Sequence, residues 1–162
     1  MSVVTGSESE TFILFELAGT SYAVRSASVQ QVQMIEQITP VPNAIPVVEG
    51  VVYTRGRVIP ALNLRVRFGF DKIPYDLRSR LVVVNAGGRV VGLVTDTARE
   101  FIRIPASSIE TPPEAITGLS GRYLEGIASI KGRLILILNL EEVLDVGDTQ
   151  AIVNQSERSE EV

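Results

Sequence analysis

The chain has 162 residues, 45% of them hydrophobic and 21% charged, with a formal net charge of -4 and neither histidine nor cysteine. That length and apolar fraction suffice for one packed domain or two very small ones. The missing cysteines exclude disulfides and thiolate metal sites, and the acidic balance argues against general nucleic-acid binding, which draws its affinity from cationic surface.

Residues 1–11 (MSVVTGSESET) are small and polar, lack the apolar segment of a signal peptide, and read as a disordered tail. Residues 12–17 and 22–24 are runs of β-formers around Ala-Gly-Thr-Ser, a hairpin signal with Gly19 at its tip. In the joining segment 25–47, Ser26 or Ser28 could cap a short helical turn with Val29 and Val32 on one side, and three prolines then impose an extended path. Residues 70–79 form a connector of mixed charge. The first hairpin pattern returns at residues 80–92, RLVVVNAGGRVVG, at an offset of 68. A second joining segment, 93–123, is again proline-rich, and residues 148–162 read as a flexible acidic tail. No apolar run approaches the ~18 residues of a spanning helix, so the chain is expected to be soluble and cytoplasmic.

The most informative stretch, residues 48–69 (VEGVVYTRGRVIPALNLRVRFG), occurs twice. Shifted by 76 positions it overlays residues 124–145 (LEGIASIKGRLILILNLEEVLD), and eight of the sixteen positions from 49 to 64 are identical, both glycines in step. In each copy two β runs flank a basic residue and a glycine, Arg55-Gly56 or Lys131-Gly132, which predicts a hairpin with a basic tip. Pro60 lacks an amide hydrogen, so its strand is expected at a sheet edge or at a break in the ladder. The matching residues 134–140 (LILILNL) are apolar on both faces and should be sandwiched. Asn63 and Asn139 are placed to cap helical turns that Gly69 and Gly147 would end, with Glu141 and Glu142 well placed in the second helix's first turn. The whole is predicted to be all-β, two small barrels or sheets packed together with short helices.

The search for reactive groups is mostly negative. Without histidine or cysteine the chain lacks the usual general base near neutral pH, the commonest zinc ligands and a thiol nucleophile. Lys72 and Lys131 lie near no serine-nucleophile pattern, and Gly87-Gly88 sits in a hairpin, not in a phosphate-binding loop. The carboxylates form no evident pair. The chain reads as a non-enzyme without cofactor or metal.

Taken in order, residues 48–69, RVVGLVTDTAREF and YLEGIASIKGRLILILNLEEVL resemble the CheW family of bacterial chemosensory coupling proteins, over about residues 12–147. That superfamily also includes the regulatory domain of the kinase CheA and the amino-terminal part of CheV. The resemblance implies two tandem SH3-like five-stranded β-barrels with a short helix near the C-terminus. Residues 12–79 would form the first barrel and 80–147 the second, with the first strand allowed to be shared. It implies an adaptor joining the cytoplasmic tip of chemoreceptors to the CheA regulatory domain, and other CheW-like chains, at membrane-associated arrays. A dedicated pathway controlling surface motility or gene expression, with or without CheA, is the alternative. Receptor-facing positions would be Val29, Gln31, Val32, Gly50, Ala98 and Phe101. Array and kinase contacts would be Arg55, Gly56, Leu124, Ile130, Lys131 and Gly132. For Val29, Val32 and Phe101, spacing alone favours ordinary core packing, and Arg55 unaided reads as a solvated charge. The family turn Asn-Leu-Arg-Gly is here Tyr53-Thr54-Arg55-Gly56, and the family's acidic partner falls at Gln31, which offers Arg55 only a neutral hydrogen bond.

Overall fold

A computed structural model describes residues 8–113 and 121–144. The expected all-β architecture is found, as two antiparallel-rich sheets. Strands β1 (Ser9–Leu17) and β2 (Thr20–Arg25) form the first hairpin, and β3 (Val29–Met34) follows a 3-10 turn at Ser26–Ser28. Strands β4 (Val48–Thr54) and β5 (Arg57–Asn63) form the second hairpin and lead into helix α1 (Leu64–Arg67). The second copy repeats the series: β6 (Arg80–Ala86), β7 (Arg89–Thr95), β8 (Thr97–Pro105), the two-residue β9 (Ile109–Glu110), β10 (Leu124–Ile130), β11 (Arg133–Leu138) and α2 (Leu140–Leu144).

The copies do not fold separately. One sheet has the order β8-β1-β2-β11-β10-β9 and the other β3-β6-β7-β5-β4. Each leading hairpin has left its own copy: β1–β2 join the second copy's strands, and β6–β7 join the first's. The contiguous division at residue 79 therefore does not describe the sheets. The parallel contacts β11 with β2 and β5 with β7 are the seams where the exchanged hairpins dock.

The side chains show what the exchange achieves. Alternate residues of a strand face opposite sides, and β1 divides its apolar residues accordingly. Phe12 and Leu14 enter the core of their sheet, with Ala23, Ile104, Ala128, Ile135 and Ile137. Ile13, Phe15 and Leu17 enter a larger cluster between the sheets, where they meet Val82, Val84 and Ala86 of β6. Leu81 and Val83 of β6 face the other sheet's own core, with Val52, Ile59, Ala61 and Val94. Those pairings put the internal offset of the leading hairpins at 69: Glu16 and Asn85 are the exposed members, and the turn Ala18-Gly19 matches Gly87-Gly88. The offset of 68 aligned alanines and glycines one residue out of step with the pleat.

The four two-residue hairpin turns among the described residues have positive φ at both positions, 48° and 79° at Arg55-Gly56, 50° and 78° at Lys131-Gly132. This is the type I′ geometry, whose twist matches that of the strands it joins. The asparagine caps form as expected: Asn63 Oδ1 accepts from the Val66 amide and Asn139 Oδ1 from the Glu142 amide, both at 3.2 Å. Gly69, at φ 87°, follows α1 and donates to the Val66 carbonyl. Gly147 and the acidic tail lie outside the described residues. Other expectations are corrected. The 3-10 turn has no side-chain cap, and Val29 and Val32 lie on β3. Pairing with Arg103, Ile104 and Pro105 extends β1 back to Ser9, into the segment expected to be a tail. One of the two expectations for Pro60 holds: β5 is an interior strand and not an edge, but its ladder to β7 is interrupted at Pro60 and begins only at Ala61. Leu134 and its repeat partner Val58 are 62% and 63% exposed, so the apolar run of β11 is sandwiched only beyond its first turnward residue.

Asp96, alone between β7 and β8, carries the chain from one sheet to the other. Its carboxylate accepts from Arg65 Nε at 2.8 Å, from the second Arg65 nitrogen at 2.7 Å and from the Ala18 amide at 2.9 Å. Burial opposes its ionisation, but the bonds from Arg65 and Ala18 outweigh burial and hold its pKa below the ordinary carboxylate value. The stabilisation is then complete above the unfolded pKa of about 3.9 and drains as pH falls through the lower folded value. Asp96→Asn is expected to lose about 1–3 kcal/mol at pH 7. The gap from wild type, measured by urea unfolding across pH, should be constant above about pH 5 and close as the acid limb is entered.

Candidate functional site

The edge strands β3 and β8 are related by the same offset of 69, and each pairs with its leading hairpin through a bulge at the same place. Val29 lies opposite Val84 and Gln31 opposite Val83, leaving Gln30 extra; Ala98 lies opposite Phe15 and Glu100 opposite Leu14, leaving Arg99 extra. The extra residue shifts the side-chain alternation by one. Val29 and Val32, three apart, thus share one face, as do Ala98 and Phe101. That face is the inter-sheet one, because the partners Val82, Val84, Ile13 and Phe15 all belong to the cluster between the sheets.

Four of the predicted receptor-facing residues are thereby gathered on two edges flanking the inter-sheet core. Val29 and Val32 pack partly buried against the cluster, and Ala98 is 9% exposed within it. The core-packing alternative describes these three in part. It fails for Phe101, which is 69% exposed on a β-strand edge. Gln31 stands on the opposite face of β3 and turns to the neighbouring hairpin: its Nε2 donates to Thr54 Oγ1 at 2.6 Å and to Gln33, and Thr54 donates to Gln33 at 3.1 Å. It does not bond Arg55. Its repeat partner Glu100 instead pairs with Arg133 at 3.4 Å. That correspondence was invisible in the sequence, because it needs the offset of 69 and both bulges.

Gly50 has a structural reason of its own. It lies at a bulge in β4 with φ 151°, and a Cβ built there would stand 2.1 Å from the Thr39 carbonyl oxygen. Thr39 and Val51 exchange two backbone hydrogen bonds at 2.8 and 2.9 Å, so that carbonyl cannot retreat. Gly126 in the second copy lacks the positive φ, and a Cβ there would stand 2.6 Å from a side-chain methyl of Ile109 and 3.3 Å from the Glu110 carbonyl oxygen. The neighbouring identical pair Glu49 and Glu125 take unlike partners. Burial opposes the charge of Glu49, but hydrogen bonds from Lys72, Tyr75 and Asn63 lower its pKa, and those from Lys72 and Tyr75 tie the connector 70–79 to β4. Glu125 binds Arg25, which also reaches Glu10 at 2.8 Å.

Of the predicted array contacts, Arg55, Gly56, Lys131 and Gly132 are exposed at the two hairpin tips. Arg55 makes no hydrogen bond or ion pair among the described residues. Cross-strand neighbours Tyr53 and Val58, 74% and 63% exposed, add an apolar surface beside Arg55 that spacing alone did not single out. Ile130 adjoins Lys131 but packs partly into its sheet's core. Leu124 is not beside that tip; it opens β10 at the far end. There it lines an apolar cavity of about 120 Å³ with Tyr22, Phe68, Phe70, Tyr123, Leu136 and Leu138. The rings of Phe15, Tyr22, Phe68 and Tyr123 run in series at 5.4–5.8 Å, with the Arg67 guanidinium 4.7 Å from the Tyr123 ring.

A model of the CheW-like domain matches residues 11–147 of the chain. The chain is 29% identical over 150 residues to the chemotaxis protein CheW of Klebsiella aerogenes, covering 93% of this chain and 90% of that protein. It is 28% identical over 145 residues to protein FrzA of Myxococcus xanthus, covering 88% and 90%. Among solved structures, the scaffolding protein TtCheW from Thermoanaerobacter tengcongensis superposes with a TM-score of 0.80 at 31% identity, over 87% of this chain and 96% of that one.

Two substitutions separate fold from surface. Gly50→Ala is expected to destabilise by about 3 kcal/mol or more, from backbone collision and an unfavourable φ. Arg55→Asp removes an exposed, unpartnered charge at a positive φ that aspartate tolerates, and should stay within about 0.5 kcal/mol of wild type in urea unfolding.

Proposed function

The chain belongs to the CheW-like domain family, and from that premise we propose that it is a non-catalytic adaptor coupling chemoreceptors to the histidine kinase CheA in signalling arrays. The match to a scaffolding protein over 96% of that chain supports the adaptor reading. The observation that carries the reading is the pair of edge strands with Val29, Val32, Ala98 and Phe101 on one face, open at Phe101. A receptor helix seated there would bury small aliphatic side chains against the inter-sheet cluster, in the helix-in-groove mode. Gly50 supports that surface by holding the Thr39 crossing close to β4, and Gln31 by fixing the adjoining hairpin through Thr54.

Two kinds of array contact complete the proposal. The tips Arg55-Gly56 and Lys131-Gly132, with Ile130 beside the second, offer basic turns to a kinase regulatory domain or to another CheW-like chain. Leu124 and its aromatic cavity offer an apolar seat at the opposite end of β10. Because the tips belong to different sheets, one chain can bridge two neighbours, and weak contacts repeated through an array accumulate avidity. The absence of an ion pair between Gln31 and Arg55 leaves Arg55 available to a partner.

The chain is expected to co-sediment with a ternary assembly of chemoreceptor signalling fragments and CheA. Arg55→Asp should weaken that assembly about tenfold, roughly 1.4 kcal/mol, without altering the fold. If wild-type protein enters no complex with either partner, the coupling role is excluded.

A further inference from the structure

The cavity at the far end of β10 from Lys131 is apolar but not closed. Tyr22, Tyr123 and Leu138 line it as buried side chains, Phe68, Leu124 and Leu136 are partly buried, and Phe70 is 36% exposed, so it opens beside Phe70. Its volume is about 120 Å³. Apolar cavities of this order exclude water and take apolar occupants, because water finds too few polar partners there.

Helix α2 ends close by. Arg67 Nε donates to the Val143 carbonyl at 3.1 Å, and the same guanidinium lies 4.7 Å from the ring of Tyr123, so one side chain separates the end of α2 from the cavity lining. Arg89 donates to the Leu144 carbonyl at 3.0 Å. Residues 145–162 follow and lie outside the described residues. In sequence they carry five carboxylates and one arginine, and their one run of consecutive apolar residues is Ala151-Ile152-Val153. An extended chain from Leu144 to Ile152 reaches up to about 26 Å, ample for the distance. Charge favours the same return path. Arg67 Nη2 is buried without a hydrogen-bond partner among the described residues, and Arg122 also lies over the Tyr123 ring, at 5.2 Å.

We infer that residues 145–162 turn back so that Ile152 and Val153 occupy the aromatic cavity, as an internal ligand of this chain. Tethering decides between this occupant and a second copy. A segment on a short linker meets its site at an effective concentration of roughly millimolar, above that of any free copy in dilute solution. A contact too weak to hold a separate chain is therefore populated within one. A partner that uses Leu124 and the cavity would have to displace the segment, which sets a threshold for binding at that end of the molecule. The occupancy itself does not depend on the coupling reading.

The chain has no cysteine, so Asn154→Cys carries a nitroxide at one defined place. In the isotope-labelled full chain, with no partner present, the amides of Phe70, Tyr123 and Leu124 should broaden, and those of Lys131-Gly132, at the other end of β10, should not. Adding Ile152→Ser with Val153→Ser, which keeps the charge, should abolish that selective broadening while the remaining spectrum stays that of the folded chain. Unlabelled chain bearing the nitroxide, mixed with labelled wild type at the same total concentration, should leave these amides sharp. Broadening in the mixed sample puts a second copy in the cavity and overturns the inference. Cavity amides that stay sharp in the first sample, or broadening that survives the serine substitutions, overturns it as well. No receptor or kinase enters these samples, so failure here leaves the coupling role standing, and failure of the ternary assembly leaves this inference standing.

Discussion

Packing of the two leading hairpins back to back is the interaction on which everything else in the molecule depends. Ile13, Phe15 and Leu17 meet Val82, Val84 and Ala86 across the inter-sheet space, and the remaining elements attach at that layer's edges. Each small sheet encloses only a modest core of its own, too little to stand alone by the scaling of buried surface with size. Burying both faces of β1 and β6 solves the problem: one face fills the sheet's interior, the other fills the space between sheets. Because each hairpin is lent to the other copy's strands, the layer is also tied covalently on both sides.

That arrangement determines where contact surfaces can lie. The edge strands β3 and β8 flank the shared layer, so Val29, Val32 and Ala98 pack at its margin and Phe101 stands exposed beside it. The β4–β5 and β10–β11 hairpins project their tips from different sheets, and the type I′ turns hold Arg55 and Lys131 outward on stiff supports. The crossing at Asp96 is held by Arg65 and Ala18. Such a structure presents several surfaces on one packed scaffold.

Local features were legible in the sequence wherever one residue type had one physical use. Glycines marked the tips, asparagines 63 and 139 capped their helices, and the duplicated box announced a repeated β unit. The exchange of hairpins was not legible, since the pattern of β1 is the same whichever copy's strands it joins. A one-residue error in the offset, 68 instead of 69, hid the correspondence of Gln31 with Glu100. The bulges at Gln30 and Arg99 have no glycine or proline to announce them. Val29 and Val32 looked helical because a spacing of three suits a helix, while here an inserted strand residue produces it. Identity does not extend to role at Glu49 and Glu125, which keep their place in the repeat but bind different partners. Phe101 was found only through family likeness, and its exposure is what separates it from the core residues around it.

The connector between α1 and β6 is the sole covalent link between the copies, yet each sheet draws strands from both sides of it. A backbone cut within residues 70–79 would therefore leave two pieces of which neither owns a complete sheet. Each would be unable to mature alone but would carry the missing strands of the other, so reassembly from separately expressed halves would follow the same route as a dimer of single repeats, the state from which such a chain could arise by tandem duplication.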